Sequence, residues 1–205
     1  MLMKSSDSII VIIEDNKSLD HEPFIIECRD IYKDVLFFTE PENALQYIRD
    51  NLQERLIVLL DIAFPSNSPD GHQVLECIRQ YSYLIPVIIW TGKDEDREKF
   101  ADLINNKSFA YIKKSASTEE ILKVFAEADT QLNYDVASAL SEWIETHTND
   151  EKERPYIITM DGKQYSLNDI LKACRCQDEL GLIFTQKLLR LTIDLLVRNK
   201  EKLND

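Results

Sequence analysis

Two short stretches decide how this chain folds: IIVIIED (residues 9–15) and LIVLLD (residues 56–61). Each is a run of five apolar residues that stops on an acid. The runs are continuous rather than alternating and are rich in branched side chains, as expected for strands covered on both faces. Three further runs of this kind occur at 35–38, 87–90 and 109–112. Between them lie amphipathic stretches at 23–33, 41–52, 72–81 and 95–105, and another begins at Ser117. Five strand-then-helix units predict an α/β fold with a doubly wound parallel sheet.

Composition narrows the function. The chain has 205 residues, 44% of them hydrophobic and 30% charged, enough to bury a core. Its formal net charge is -13 and its sequence pI about 4.7. Residues 1–133 carry 14 basic and 24 acidic side chains, and residues 134–205 carry 10 and 13. That balance argues against a polyanion such as DNA or an acidic membrane as the default partner. The four glycines, Gly71, Gly92, Gly162 and Gly181, are too far apart to form a phosphate-cradling loop, which excludes Walker-type NTPases and GxGxxG dinucleotide binders. Cys28, Cys77, Cys174 and Cys176 form no disulfide framework. With no N-terminal signal segment, they fit a reducing, cytoplasmic setting. Cys174 and Cys176 read as an idle or buried thiol pair rather than a metal site. No apolar run reaches the roughly 20 residues needed to span a bilayer.

The chain divides by pattern into residues 1–133 and residues 134–205. Ser117 and Glu120 form a capping box, after which no Gly or Pro occurs until Pro155. Apolar residues from Ile121 to Trp143 step by three or four, predicting a long helix to about Thr146 with a possible break near Asn133. Residues 156–166 read as a hairpin turning on Asp161-Gly162 with a type I′ turn. Residues 166–174 and 182–198 read as two helices. The second is apolar around most of its circumference, so it is expected to be buried against the long helix or a partner subunit.

The chemistry lies where an α/β sheet places its ligands. Glu14 and Asp15 end the first strand and Asp61 ends the third. In the strand order 2-1-3-4-5 these strands are neighbours at the switch point, so the carboxylates meet in one crevice. Three carboxylates within a few ångströms repel by several kcal/mol at an effective dielectric of about 20, unless a hard cation holds them. Mg²⁺ suits such an oxygen-rich site. Thr91 ends the fourth strand and Lys114 follows the fifth, bringing a hydroxyl and an ammonium to the same crevice. Phosphoryl transfer onto a carboxylate needs this set of a nucleophile, a metal and fixed donors. Lys113 is the alternative cation, but alternation along the strand favours Lys114.

Four segments, IIVIIEDN, LIVLLDIAFP, PVIIWTGKD and FAYIKKS, together resemble the response-regulator receiver domains of two-component signalling, over residues 7 to about 133. The resemblance implies a flavodoxin-like receiver with Asp61 as phospho-acceptor. It also implies Mg²⁺ on Glu14, Asp15, Asp61 and the carbonyl of Ala63, with Thr91 and Lys114 on the phosphoryl oxygens and Tyr111 as an aromatic switch that follows Thr91. The implied donor is a sensor histidine kinase or phosphotransfer protein, and the implied catalysis is limited to self-phosphorylation and dephosphorylation. This chain departs from the family pattern in two places. Ser115 follows the lysine where the family usually has Pro, and a cis Lys114–Ser115 peptide would cost about 3 kcal/mol. The loop from Pro65 to Gly71 is about two residues longer than usual. A haloacid-dehalogenase-type phosphatase would need a second Asp where Ala63 stands.

Output is not set by the fold. No catalytic signature follows residue 134, and His147 is alone. The expected output is protein contact through the C-terminal module, either homodimerisation or docking of a downstream protein. A DNA-binding transcriptional regulator is the first alternative, disfavoured by the acidic C-terminal region. A phosphoryl sink, or a pseudo-receiver that takes no phosphoryl group, is the second.

Overall fold

The computed structural model describes residues 5–64, 69–92, 103, 105, 107–133, 136–159 and 162–198. The chain forms two compact units, Met1–Asp135 and Val136–Asp205. The first unit holds five parallel strands in the order β2-β1-β3-β4-β5. They are β1 (Ser6–Ile13), β2 (Tyr32–Phe38), β3 (Leu56–Leu60), β4 (Val87–Thr91) and β5 (Ala110–Lys113). Every residue of β3 and β4 is buried, which explains their unbroken apolar runs. Helices fully within the described residues of this unit are α1 (Pro23–Ile31), α2 (Pro41–Asp50), α3 (Gly71–Tyr81) and α4 (Thr118–Asn133).

Alternation along the strands divides the core. Ile10, Ile12, Ile57, Leu59, Ile88, Trp90 and Ile112 face one side and pack with Phe24, Ile25 and Cys28 of α1 and Ile121, Phe125 and Ala128 of α4. The intervening strand residues Val11, Ile13, Val58 and Leu60 face the side of α2 and α3, which bury Ala44, Ile48, Val74, Leu75 and Ile78. Truncating a fully buried ring such as Phe125 would cost about 3–5 kcal/mol.

Boundaries shifted where local chemistry intervened. Helix α1 stops at Ile31 because Tyr32 already pairs in β2. A 3-10 turn, Lys17–His21, was not anticipated; the Asn16 side chain caps it by accepting from the Ser18 N–H. Helix α3 starts at Gly71 under an Asp70/Gln73 capping box. The expected helix at 95–105 lies outside the described residues except for Leu103 and Asn105, which are helical. The lengthened loop is described only at its end, from Pro69.

In the second unit, α5 (Val136–Glu145), α6 (Asn149–Glu153), β6 (Ile157–Ile158), β7 (Gln164–Tyr165), α7 (Leu167–Cys176) and α8 (Glu179–Arg198) follow in order. Whether the helix expected from Ser117 to Thr146 is continuous turns on residues 134–135, outside the described residues. The hairpin is present, but not with the expected two-residue turn. Thr159 donates to the Lys163 carbonyl and Gly162 to the Thr159 carbonyl, with Gly162 at φ 82°, so the loop has three residues and ends in a left-handed glycine. Ala137, Leu140, Ile144, Leu167, Ile170, Leu171 and Cys174 form a small core.

Helix α8 begins earlier than its apolar pattern suggests, because the Asp178 side chain accepts from the Gly181 N–H. A Cβ on Gly181 would stand 2.1 Å from the Ala173 carbonyl oxygen, so glycine is what lets α8 turn back tightly on α7. Within this unit α8 buries little of the apolar surface expected to be covered, at its start as well as further along: Leu182 is 50% and Ile183 44% exposed. Phe184 packs on the core, whereas Leu189, Leu191, Ile193 and Leu195 are each about half exposed (47%, 56%, 58% and 50%). Helix α7 meets one face of α8 and, with ten residues against twenty, only part of its length.

Candidate functional site

Strand register builds the site. Ile13 lies opposite Leu60 in the β1/β3 pair, so the residues that follow, Glu14 and Asp61, leave the sheet side by side. Backbone bonds hold both exits: the Asp61 N–H donates to the Ile13 carbonyl (3.0 Å) and the Glu14 N–H to the Phe38 carbonyl (3.0 Å). Glu14 (1% exposed) and Asp61 (3%) are buried, and Asp15 is exposed. One carboxylate oxygen from each of Glu14, Asp15 and Asp61 lies within 4.8 Å of the others.

On the far side of Asp61, Thr91 opposes Lys113 at the end of the β4/β5 pair. The next residue, Lys114, donates its backbone N–H to the Thr91 carbonyl (2.8 Å) and turns its side chain inward. Its Nζ lies 2.5 Å from Glu14 Oε2 and 3.0 Å from Asp61 Oδ2. Lys113 is exposed, so Lys114 is the cation at the carboxylates. The Asn16 N–H donates to Glu14 Oε1 (3.2 Å) and the Ala63 N–H to Asp61 Oδ1 (3.3 Å). Thr91 is fully buried at the end of β4. Tyr111 is half-buried on β5 opposite Ile89, two register positions below Thr91. No cis peptide occurs among the described residues, so Lys114–Ser115 is trans.

Electrostatics make the cluster uneven. Burial pushes the Glu14 carboxyl above its ordinary 4.5; the Lys114 ammonium opposes the rise and the Asp61 charge adds to it. Burial pulls Lys114 down, but its bonds to Glu14 and Asp61 outweigh that and leave it above 10.5. Three carboxylates therefore face one ammonium. The donor set is all oxygen and two of its members are buried, which is the chemistry a hard divalent cation takes. Oxygens bound to one Mg²⁺ at 2.0–2.1 Å lie at most about 4.2 Å apart, so the observed spread closes with a small side-chain adjustment.

Two contacts at the site were not legible in the sequence. A Cβ on Gly71 would stand 2.3 Å from the Ile62 Cα and 2.6 Å from the Asp61 carbonyl oxygen, so α3 presses directly on the backbone that carries Asp61. Lys114 Nζ also lies 5.0 Å from the centroid of the Trp90 ring. Strand alternation sends Trp90 to the face opposite Thr91, and only the length of the lysine stem brings its ammonium within reach of that ring. Cys174 and Cys176 are far from this chemistry in sequence; the Cys174 thiol is buried and accepts from the Thr185 hydroxyl at 3.7 Å.

A five-stranded parallel sheet with an acidic notch at its carboxyl ends defines a receiver-type α/β domain. The family model for response regulator receiver domains matches residues 10–126, more than half of the chain, and the chain belongs to that family. Solved structures agree on the fold. The signal receiver domain of an HD domain-containing protein from Pseudomonas fluorescens Pf-5 is 21% identical, with a TM-score of 0.54, covering 62% of this chain and 90% of that one. A CheY-like response regulator receiver domain protein from Methanospirillum hungatei JF-1 is 20% identical, with a TM-score of 0.51 and coverage of 63% and 99%. A DNA-binding response regulator of the LuxR family from Staphylococcus aureus is 24% identical, with a TM-score of 0.51 and coverage of 59% and 98%. Comparison with curated protein sequences finds no match. Among the described residues, no helix is long and apolar enough to cross a membrane.

Proposed function

We propose that the protein is a phosphorylation-controlled response regulator in which Asp61 accepts a phosphoryl group. The observation that carries this reading is the gathering of three strand-end carboxylates around one ammonium that bridges Glu14 and Asp61. Mg²⁺ held by Glu14, Asp15, Asp61 and the Ala63 carbonyl would neutralise the cluster and supply Lewis-acid stabilisation of the charge on the transferring group. Asp61 Oδ attacks phosphorus in line, and the donor leaves with the electrons of the P–N or P–O bond that breaks. Lys114 and the Thr91 hydroxyl stabilise the equatorial phosphoryl oxygens. Tyr111 follows Thr91 as the switch.

The phosphoryl donor is a phosphohistidine on a sensor kinase or phosphotransfer protein, and the site catalyses its own phosphorylation and later dephosphorylation. Output passes through protein contacts of the C-terminal unit, whose half-exposed leucines on α8 suit an apolar partner better than a DNA groove. The test is incubation with a small acyl phosphate and Mg²⁺. An acid-stable, base-labile phosphoryl adduct should form on the wild type and be lost in Asp61→Asn. The same adduct on the variant would overturn the assignment.

A further inference from the structure

We infer that Trp90 is a positioning residue for Lys114: its indole face is a shelf that keeps the ammonium over the site once a divalent cation claims the two carboxylates that hold it. The inference rests on the phosphoryl-acceptor reading and deepens it.

The need for such a shelf follows from a competition. Lys114 Nζ is bonded to Glu14 Oε2 and Asp61 Oδ2, and both residues belong to the carboxylate set that a cation would draw in. An ion on those carboxylates competes with the lysine for its two anchors, and a four-carbon stem has many rotamers open to it. The backbone gives limited help. Lys114 lies one residue past the end of β5, tied by one backbone bond to Thr91, and Ser115 follows it without the fixed φ of proline. An aromatic face does not ligate a hard cation, so the contact at 5.0 Å persists when the carboxylates are occupied.

The choice of tryptophan supports this role. Trp90 is 2% exposed, and its indole N–H has no hydrogen-bond partner among the described residues. Phenylalanine or leucine would fill the space without an orphaned donor. What tryptophan adds is the aromatic face that attracts a cation most strongly. The ring is held by Phe24, packed edge-on at 5.3 Å and 74°.

The test separates the shelf from the reaction. The chain has two tryptophans, so W143F makes Trp90 the sole reporter. In metal-free protein, W143F and W143F/K114M should differ in Trp90 emission, and the difference should survive saturation with Mg²⁺. Identical emission, or a difference that Mg²⁺ abolishes, overturns the shelf. With a small acyl phosphate and Mg²⁺, phosphorylation should slow about threefold in W90F and about tenfold in W90L, and neither change should slow K114M further. A wild-type rate in W90L, or equal slowing with and without Lys114, also overturns it. Should W90L fail to fold, W90F and its coupling to K114M carry the kinetic arm. If the wild type takes up no phosphoryl group, the acceptor reading fails while the emission comparison still decides the shelf.

Discussion

At the carboxyl end of the sheet three acids face one ammonium; at the amino end a network sets Asp129 against Arg55 and the Ser8 hydroxyl. There, Arg55 reaches Asp129 Oδ1 of α4 (3.2 Å) and its backbone carbonyl (3.4 Å), and its Nε donates to Ser8 Oγ (3.3 Å). The Ser8 hydroxyl in turn donates to Asp129 Oδ1. Charge balances within this network, which joins β1, α4 and the residue that leads into β3. The other end is crowded with like charge that the fold does not relieve. A buried polar network that is satisfied stabilises a fold, and one left unbalanced marks a place where something else binds.

The largest expected effect is at the balanced end. Arg55→Ala should destabilise the protein by about 3 kcal/mol, because it strands the mostly buried Asp129 and Ser8. Urea unfolding measures this, and phosphorylation per folded molecule should not change. A loss under about 0.5 kcal/mol would erase the contrast between the two ends.

Alkaline pH sharpens the same comparison. Near Asp129, burial pushes the Cys28 thiol up to about 12, and the charge of Glu27 adds to it. Burial likewise raises Tyr32, with Cys28 and Asp129 contributing. A group whose folded-state pKa is raised contributes stability that is complete below its unfolded value, here 9.0, and is lost as pH rises toward the folded value. Stability should fall by about 2 kcal/mol between pH ~9 and ~10.5. Cys28→Ala should flatten that slope in a series of thermal melts; an unchanged slope would remove Cys28 from the account.

The smallest effect should have the opposite sign. Asp61→Asn relieves Asp61's repulsion with Glu14 and Asp15 while leaving the Glu14–Lys114 pair, so the metal-free variant should be more stable by about 1 kcal/mol. Mg²⁺ should raise the melting temperature of the wild type and not of the variant. A destabilised variant would place Asp61 with the structural network rather than the reactive one.

The two ends also differ in how far they could be read in advance. Glu14, Asp15, Asp61, Thr91 and Lys114 sit directly after, or close the end of, strands recognisable from their apolar runs, so their convergence followed from strand order. Ser8, Arg55 and Asp129 carry no such signal, being 47 and 74 residues apart and meeting only because β1, β3 and α4 pack together. Trp90 read as a strand residue and nothing more. In the second unit α5, α7, α8 and the hairpin were legible, but α6, which stands in a charged stretch that reads as a linker, the turn type and the exposure of α8 were not. The turn depends on which residues pair, and burial depends on which face and how much of the length a neighbouring helix covers.

The sequence by itself determined the five-unit α/β pattern, the Ser117/Glu120 capping box and which carboxylates stand at strand ends, because these follow from periodicities of two and 3.6 residues and from short-range hydrogen bonds. Tertiary structure alone decided that Lys114 lies against Trp90, that Gly71 must lie bare against Asp61, and that apolar residues along α8 stay exposed. Those are distances between residues remote in the chain or on separate elements, fixed only when every element is packed.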